Sequence, residues 1–395
     1  MKVIIISPFH RLSGVVGSKR FFHLADEMAL NHEVTVIAFE TKHEDNKDNK
    51  DNKDNKDYKV VDVHSKFNPN FDKKNIIYRS IRYVQKKLFL DIYSFMVFSL
   101  FNTIKKELLT NEPDVIIFTG PPFSHFVVST FITKLLKFKG EIVFDYRDPW
   151  SAYSWQGEGY GRSSKINKAI ERFVLKSATK YIHTTETMMD EFLRFTGIDA
   201  STSYVIHNGL SPQNYRVKHK KLNKKKNIVY AGNFYGQRNL RLLIESVRHL
   251  GIEDDVVVDV YGVITVEDRI LIKSYNLEST FIERDILPYE QLLEKLSLAD
   301  VLYLVSGLDV EYAIPFKALD YLSVPTNILT VMGKETELWH FLTQFKSVYR
   351  SGFELEEVSF MLKSALEDAH ECRLKQILNY DWNILAKSYI NFIEK

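Results

Sequence analysis

Short apolar, β-rich runs alternate with helix-like stretches along nearly the whole sequence, and this alternation constrains the fold more than any other feature. The first half contains the strand-like runs KVIIIS, EVTVIAF, DVIIFTG and EIVFDY. The second half contains NIVYAGN, VVVDVYG, TFIERDI and DVLYLVS. Turn residues bound these runs. Strands that alternate with helices are typical of parallel sheets, so the sequence predicts a doubly wound α/β fold.

The length of the chain and one charge-rich break predict two domains. At 395 residues the chain is longer than one ordinary core supports. The run KHKKLNKKK, residues 218–226, cannot form a core, and the alternation restarts directly after it. We predict Rossmann-like domains over residues 1–215 and 227–378, a basic linker over 216–226 and a closing helix over 379–395. The two domains are expected to face each other across a cleft.

Charge and cysteine content exclude several classes of protein. The formal net charge of +2 is too small to indicate a nucleic-acid partner. Cys372 is the single cysteine, which rules out an intramolecular disulfide framework and suits a reducing compartment. The opening residues MKVIIISPF are typical of a first strand rather than a signal peptide. We therefore expect a cytoplasmic protein.

Two segments stand apart from the alternation. Residues 46–57 are four NKD units without an apolar residue, and we predict a disordered insert over residues 41–57. The run from Leu88 to Phe101 is strongly apolar, but Asp91 interrupts it and it is shorter than the ~20 residues of a spanning helix. Its flanks are basic. We favour a buried helix, and the alternative is a helix lying on the inner face of a membrane.

The loops that follow the predicted strands are the places to look for a site, because ligands of open α/β sheets bind beyond the carboxyl ends of the strands. After the first strand, SPFHRLSGVVGSKR contains Gly14 and Gly17. These glycines would let backbone amides approach a ligand beside a helix start. A flexible turn explains the same pattern equally well.

Two further loops in the first half carry polar side chains. DYRDPWS places Asp145, Arg147, Asp148 and Trp150 within six residues. One interpretation puts Asp148 against an acceptor hydroxyl, and the other is a structural Arg–Asp pair. TGPPFSH contributes His125, and a lone histidine of this kind is more often a packed side chain than a catalyst.

In the second half, the loop YAGNFYGQRNL follows the first strand. Gly232 and Gly236 open this loop, and Arg238 stands near the start of the next predicted helix. A guanidinium beside helix-terminal amides is a good binding place for a phosphate, because charge, dipole and fork geometry act together. The alternative is an ordinary surface arginine.

The stretch AIPFKALDYLSVPTNIL puts Pro315, Lys317 and Asp320 at the start of an apolar helix. Proline suits the first turn of a helix, and Lys317 and Asp320 are i,i+3 neighbours on one face. Free amides, Lys317 and the helix dipole would attract an anion, while Asp320 would accept hydrogen bonds from a ribose diol. The alternative is a surface Lys–Asp pair that contributes less than ~1 kcal/mol.

Together these motifs resemble a family-4-type glycosyltransferase of the GT-B fold, in the branch that builds bacterial surface polysaccharides. The matching segments occur in family order and include SPFHRLSGVVGSKR, TGPPFSH, DYRDPWS, ERFVLKSATKYIHTTETM, VIHNGL, YAGNFYGQRNL, ILPYEQLLEKLSLADVLYLVS and IPFKALDYLSVPTNIL. They cover nearly the whole chain apart from the NKD insert. Each motif is weak alone, but their order and spacing make the match specific.

The resemblance implies a hexosyltransferase with a nucleotide-sugar donor in the second domain and a sugar or lipid-linked acceptor in the first. It implies retention of configuration, no metal and no cofactor, since the nucleotide sugar is a substrate. Arg238 would neutralise the donor diphosphate, and Gly17 matches the glycine loop beside it. The other positions that match the donor site are Asn233, Leu287, Glu311, Tyr312, Phe316 and Asp320.

This sequence departs from the family pattern at four of these positions. Asp320 stands where a glutamate is usual, so its reach is one methylene shorter, and Glu311 precedes it by nine positions rather than eight. Asn233 replaces a frequent arginine, which leaves Arg238 with less help. Phe316 stands where close relatives often have glycine. A relative that binds nucleotide sugar without turnover therefore stays an alternative.

The predicted chemistry depends on positive potential at the leaving diphosphate, supplied by Arg238 and Lys317. The diphosphate can itself take the acceptor's proton, so no general base is required. We find no convincing pair of acid–base carboxylates and no HxH, HExxH or CxxC metal motif. The nearest enzymatic alternative is a nucleotide-sugar epimerase on the same two-domain plan. The resemblance and the basic-flanked run at Leu88 together suggest a lipid-linked acceptor, and peripheral contact with the inner face of the cell membrane is a further expectation.

Overall fold

The structure is a computed structural model that describes residues 1–9, 16–39, 58–64, 91–151, 165–212, 215, 225–234, 238–307 and 311–395. The chain divides into two compact units. The first unit comprises Met1–His207 and Trp382–Lys395, and the second comprises Asn208–Asp381. Each unit is built on one parallel sheet, as the alternation in the sequence predicts.

Within the described residues, the first unit has a seven-stranded sheet in the order β3-β2-β1-β4-β5-β6-β7, in which each pairing is parallel. Its strands are β1 (Lys2–Ser7), β2 (Glu33–Phe39), β3 (Lys59–Val63), β4 (Val115–Gly120), β5 (Glu141–Tyr146), β6 (Lys180–His183) and β7 (Ser203–Val205). The helices between them are α1 (Val16–Met28), α2 (Val97–Asn111), α3 (Val127–Leu135), α4 (Lys165–Leu175) and α5 (Glu186–Thr196).

The second unit repeats this plan with six described strands in the order β10-β9-β8-β11-β12-β13, again all parallel. The strands are β8 (Lys226–Ala231), β9 (Val256–Tyr261), β10 (Phe281–Arg284), β11 (Val301–Val305), β12 (Asn327–Val331) and β13 (Val348–Ser351). The helices are α6 (Arg241–Leu250), α7 (Val266–Ser274), α8 (Tyr289–Leu298), α9 (Phe316–Leu322), α10 (Glu337–Leu342), α11 (Leu355–Glu367) and α12 (Leu374–Ile377).

The last helix, α13 (Trp382–Glu394), returns to the first unit. Its Asn383 side chain donates to Glu27 of α1 at 2.8 Å, and the Trp382 ring stacks on His23 at 5.0 Å. The second unit begins at Asn208, upstream of the linker predicted from residue 216. Residues 216–224 of that linker and the NKD repeat lie outside the described residues.

The cores lie on both faces of each sheet. Every residue of β4 and β11 is buried, which explains why their sequences are continuous apolar runs rather than alternating ones. In the second unit, one core cluster packs α9 residues such as Leu319 against the sheet, and the other packs α6 and α11 residues such as Ile244 and Leu362. Threonine caps begin several helices: the Thr265 side chain accepts from the Asp268 amide at 3.1 Å at the start of α7.

The described part of the Leu88–Phe101 run forms a short 3₁₀ turn, Ile92–Met96, followed by the start of α2. Leu100 is buried, whereas Phe98 is exposed, so this helix has a core face and a surface face. Within the described ranges, no helix combines the length and apolar character needed to cross a bilayer.

The order of the strands reverses direction once in each sheet. In the first sheet the reversal lies between β1 and β4, and in the second between β8 and β11. The crevice beyond the carboxyl ends of the strands at such a reversal is where open α/β sheets bind ligands. The loops after β8 and β11 are therefore the first place to examine in the second unit.

Candidate functional site

A lysine and a tyrosine meet beyond the reversal point of the second sheet. Lys317 Nζ, from α9, lies 2.8 Å from the Tyr230 hydroxyl of β8 and 4.0 Å from the centre of its ring. The tyrosine hydroxyl accepts from the lysine and donates to the Asn233 carbonyl at 3.2 Å. The ring stacks on Phe234 at 4.2 Å. These contacts hold the ammonium at the mouth of the β8 loop.

The positive charge of Lys317 is poorly compensated at this position. Burial, together with the nearby positive charge of Arg238, lowers the pKa of Lys317 to about 7. No carboxylate of the described residues lies within ion-pair distance of Lys317. A half-buried cation whose described partner is a neutral hydroxyl would gain from a bound anion, because the anion would restore the charged form.

Gly232 allows the backbone to pass close to this lysine. Its φ is +118°, and a Cβ at this position would stand 2.9 Å from Lys317 Nζ. Gly262, at the end of β9, has φ +154°, and its Cβ would lie 2.3 Å from the Gly232 carbonyl oxygen. Both positions therefore require glycine. The sequence pattern pointed to Gly232 but not to Gly262, and Gly236 lies outside the described residues.

The expected free amides at the start of α6 are already engaged. The Leu240 amide donates to Asp268 Oδ2 at 3.1 Å, and the Arg241 amide donates to Asn239 Oδ1 at 3.1 Å. These two amides are consequently not open to a phosphate in this structure. Arg238 is half-buried three residues before α6, where its charge contributes to the shift of Lys317. The basic character of the loop thus comes from the side chains of Arg238 and Lys317.

Asp320 is held by a residue that sequence reasoning missed. The Tyr289 hydroxyl donates to Asp320 Oδ1 at 2.6 Å, and burial together with the charge of Asp320 raises the pKa of Tyr289. Tyr289 begins α8, directly after Leu287 and Pro288, so the carboxylate is tied to the loop predicted to meet the base. Ile286 and Val263, exposed apolar residues, follow β10 and β9 at this same edge of the sheet.

Lys317 and Asp320 therefore have separate partners rather than each other, and the surface ion pair considered as the alternative does not occur among the described contacts. Helix α9, which carries both residues, has only seven residues and no side-chain cap at Pro315. Because α9 is so short, its dipole would attract an anion less than the Lys317 side chain would.

Two buried groups anchor the carboxyl end of α9. The Ala231 amide donates to the Tyr321 hydroxyl at 2.9 Å, which ties the helix to the end of β8. Arg373 is fully buried, and its guanidinium donates to backbone carbonyls at and beyond the carboxyl end of α9, those of Tyr321, Leu322, Val324 and Thr326. These contacts fix α9, and with it the backbone of Lys317, relative to the sheet of the second unit. A fixed cation is what preorganised binding of an anion needs.

The remaining donor-site candidates occupy varied environments. Asn233 and Glu311 are exposed, and the Glu311 carbonyl accepts from the Glu337 amide at 2.7 Å. Tyr312 is buried, while Leu287 and Phe316 are half-buried. Phe316 packs against the core cluster that contains α9. All of these residues lie in the second unit.

Two of the predicted site residues lie in the first unit. Gly17 is in the first turn of α1, and Gly14 lies outside the described residues. Asp148 is half-buried after β5, where burial raises the pKa of its carboxyl and the charge of Arg147 opposes that shift. Arg147 itself donates to the Pro121 carbonyl.

The structural Arg–Asp pair considered as the alternative for this loop exists for Asp145, but the arginine is not Arg147. Arg20 of α1 contacts Asp145 Oδ2 at 3.2 Å, and both side chains are fully buried. Arg20 also donates to the His207 carbonyl at 2.8 Å. Of the two aspartates in DYRDPWS, Asp145 is therefore buried in an ion pair with Arg20, whereas Asp148 is half-buried.

His125 is fully buried, with Phe118 at 6.1 Å and Phe126 at 5.1 Å between ring centres. Burial lowers its pKa to about 3, so it is a packed side chain, as expected. Asp91 was regarded only as an interruption of an apolar run. Its carboxylate in fact accepts from the Phe123 and Ser124 amides at 2.9 and 2.8 Å and holds the loop after β4.

Comparison with known proteins identifies the family of the chain and its fold. Residues 18–214 match the family described as Glycosyltransferase Family 4. No curated protein sequence matches the chain. Among the described residues, no group of three or more His, Cys, Asp or Glu side chains is placed to hold a metal ion.

Several solved structures share the fold over the whole chain. Sucrose-phosphate synthase from Thermosynechococcus elongatus is 12% identical, with a TM-score of 0.68 and coverage of 100% of this chain and 98% of its own. The lipopolysaccharide outer core galactosyltransferase WaaB is 12% identical, with a TM-score of 0.64 and coverage of 100% and 99%. The UDP-GlcNAc 2-epimerase from Methanocaldococcus jannaschii is 13% identical, with a TM-score of 0.58 and coverage of 100% and 99%.

These findings confirm the predicted fold class, two Rossmann-like units of the GT-B type, and the predicted family. At such low identities the structural likenesses establish the fold alone. The roles of individual residues remain predictions.

Proposed function

We propose that this chain, a family-4-type glycosyltransferase with a GT-B fold, moves a hexosyl group from a nucleotide sugar to an acceptor hydroxyl. The observation that carries the proposal is the Lys317 ammonium, held beyond the reversal point of the second sheet by a neutral tyrosine hydroxyl. An anionic diphosphate would compensate its charge. Arg238 would add a second positive charge to the same anion.

The proposed reaction breaks the bond between the anomeric carbon and the diphosphate oxygen and forms a bond from that carbon to the acceptor oxygen. The acceptor's proton passes to the departing diphosphate, so atoms and charges balance without a general base. Positive side chains lower the barrier because negative charge grows on the diphosphate as its bond breaks. Retention of configuration and independence of metal are part of the proposal.

The donor would lie in the second unit, with Asp320 against the ribose and the loop at Leu287 against the base. Tyr289 supports this role, because its hydrogen bond fixes the Asp320 carboxylate beside that loop. Gly232 would give the diphosphate access to the backbone after β8. Asn233, Glu311, Tyr312 and Phe316 are proposed as further donor contacts.

The acceptor would be held by the first unit, with Asp148 against its hydroxyl and Gly17 near the donor diphosphate. We propose a sugar or lipid-linked sugar as the acceptor and a role in surface polysaccharide or glycoconjugate synthesis, at the cytoplasmic face of the cell membrane. The motif order in the sequence supports this choice, as does the shared fold of a galactosyltransferase of lipopolysaccharide outer core.

A thermal-shift screen tests the donor site directly. Uridine, guanosine and adenosine diphosphates are added with and without attached sugars, and one base is expected to stabilise the protein. A ligand at 100 times its Kd adds about 2.7 kcal/mol to the stability of the unit that binds it. Arg238→Ala should abolish this shift, whereas Arg241→Ala, an exposed arginine paired with Glu245, should preserve it. Equal shifts in the two variants would contradict the donor site.

The epimerase alternative is favoured by the shared fold of a UDP-GlcNAc 2-epimerase. Incubation with nucleotide sugars and no acceptor separates the two activities, because an epimerase changes the sugar under these conditions. The non-catalytic alternative predicts nucleotide-sugar binding without any turnover. Slow donor hydrolysis by the unmodified protein, lost in both Asp320→Ala and Arg238→Ala, would count against it.

A further inference from the structure

Four apolar side chains are exposed on three neighbouring helices of the first unit. Phe98 of α2 is 74% exposed, Leu135 and Phe131 of α3 are 66% and 39% exposed, and Phe173 of α4 is 45% exposed. We refer to these four residues as the aromatic face. Isolated exposed apolar residues are common, but a set that continues across several elements is not.

Side-chain contacts link the three helices that carry the aromatic face. The Phe101 ring of α2 meets the Phe131 ring of α3 edge-on at 6.1 Å. The Lys134 ammonium of α3 lies 4.9 Å from the centre of the Phe173 ring of α4. On α2, Phe98, Lys105 and Leu109 follow one another at helical spacing and are all exposed. Apolar and basic groups therefore share one surface.

The charges around the aromatic face are predominantly positive. The basic residues on these helices and in the turns that follow them are Lys105, Lys106, Lys134, Lys137, Lys139, Lys168, Arg172 and Lys176. The carboxylates within the same helices point inward: Glu107 is buried and binds Lys59 at 2.8 Å, and Glu171 is buried and accepts from the Ser151 amide at 3.0 Å. Glu112 and Asp114, just beyond α2, are exposed, and Asp114 accepts from the Lys2 amide at 2.7 Å.

The second unit provides a contrast. Val266 and Ile270 on α7 are exposed to a similar degree. Their helix begins with Glu267 and Asp268, and its Arg269 is paired with Glu283. Exposed apolar residues thus occur in both units. Of these two surfaces, only the aromatic face is surrounded by several basic side chains that have no carboxylate partner among the described residues.

We propose that the aromatic face docks on an anionic phospholipid bilayer. Aromatic rings are suited to the boundary between headgroups and acyl chains, and the surrounding lysine and arginine side chains would meet lipid phosphates. Their apolar stems would lie along the same surface. A second copy of the chain fits less well, because a symmetric contact through this face would bring like charges together. The proposal is consistent with sugar transfer at a membrane, but it rests on side chains outside the proposed donor and acceptor sites, so either proposal can fail without the other.

Co-sedimentation of the full chain with vesicles tests the proposal. Vesicles of phosphatidylcholine alone are compared with vesicles that contain phosphatidylglycerol, at low and high salt. We expect binding to the anionic vesicles that weakens with salt. The variant Phe98→Ser/Leu135→Ser should reduce the partition coefficient about tenfold. Each of Lys105→Gln, Lys134→Gln and Arg172→Gln should reduce it by about fivefold.

The matched control is Val266→Ser/Ile270→Ser, which removes equally exposed apolar groups from the second unit and should bind as the unmodified protein does. Circular dichroism and the diphosphate thermal shift verify that each variant is folded. Unchanged binding of Phe98→Ser/Leu135→Ser, or equal binding to neutral vesicles, would overturn the proposal. So would a dimer in light scattering that this variant abolishes, since the face would then be a contact between copies. A failed thermal shift beside intact vesicle binding would count against sugar transfer alone.

Discussion

The two units place cations in similar parts of their folds but give them different partners. Arg20, in the first unit, is fully buried against the Asp145 carboxylate at the end of β5. Lys317, in the second unit, reaches the end of β8 and meets the neutral hydroxyl of Tyr230. The first arrangement satisfies the cation internally and holds α1 to the sheet. The second leaves the charge to be satisfied by something outside the protein.

The difference teaches how one architecture separates stability from binding. A buried ion pair is costly to break, because removal of one partner leaves an uncompensated charge. A half-buried lysine with a hydroxyl partner is held at a cost to its own charged state, as the lowered pKa of Lys317 shows. Substitutions at the first site should therefore affect stability, and substitutions at the second should affect ligand binding.

The largest expected effect is that of Asp145→Asn, which leaves Arg20 charged and buried without its carboxylate. We expect the free energy of unfolding of the first unit to fall by about 3–5 kcal/mol. Urea unfolding followed by the fluorescence of Trp150 and Trp382, both in this unit, measures the change. Glu371→Gln, which breaks the exposed pair with Lys346, is the control and should leave the transition nearly unchanged. A similar small change for Asp145→Asn would refute the structural role of the pair.

Lys317→Met should lower activity without lowering stability. The change removes the charge but keeps most of the volume, so we expect kcat/KM for the nucleotide sugar to fall about 100-fold while the protein unfolds no earlier. Lys273→Met removes an exposed lysine from the same unit and should retain full activity. If Lys317→Met lowered stability and left activity intact, the contrast between the two cations would be wrong.

Gly232→Ala should weaken donor binding about tenfold, because the new Cβ would stand 2.9 Å from Lys317 Nζ and displace it. The strain of a positive φ accompanies this substitution. Gly251→Ala separates the two causes: Gly251 has φ +63°, and its added Cβ would meet nothing within 4 Å. We expect both variants to be less stable and only Gly232→Ala to lose donor affinity in a titration. Equal affinities would show that the close approach is unimportant.

The smallest expected effect is a pH dependence of nucleotide-sugar binding, which we expect from Lys317 but not from the Arg20–Asp145 pair. Lys317 has a pKa of about 7 in the folded protein, and a bound anion raises it, so binding takes up a proton above pH 7. Affinity for a nucleotide sugar should fall about fivefold between pH 7 and pH 8. The lowered pKa also means that the unfolded chain binds the extra proton between about pH 7 and 10.5, so this group opposes folding less as the pH rises.

Calorimetry in two buffers with different ionisation enthalpies measures the proton uptake. The nucleotide sugar is the better ligand for this experiment than the free diphosphate, because its phosphates do not titrate near pH 7. Lys317→Met should bind more weakly and show no uptake. Undiminished uptake in that variant would assign the proton to another group.

Particular residues show how far the sequence was informative about the site. Lys317, Asp320, Gly232 and Arg238 were predicted as candidates from turn residues and charges at the ends of predicted strands, since those positions follow from the parallel α/β pattern itself. Tyr230 and Tyr289 were missed. A tyrosine in a strand and another at a helix start carry no local signal of a polar role, and their hydrogen bonds reach 87 and 31 residues along the chain.

The sequence by itself determined the two parallel sheets, because long apolar strands alternating with amphipathic helices have few other ways to bury their surfaces. It also determined which loops reach the carboxyl ends of the strands. Only the tertiary structure decided which charges are paired. Arg20 and Asp145 are 125 residues apart, and Lys317 faces a hydroxyl rather than the nearby Asp320. Pairing depends on distances of a few ångströms between elements remote in sequence, and the packing of the whole unit sets those distances.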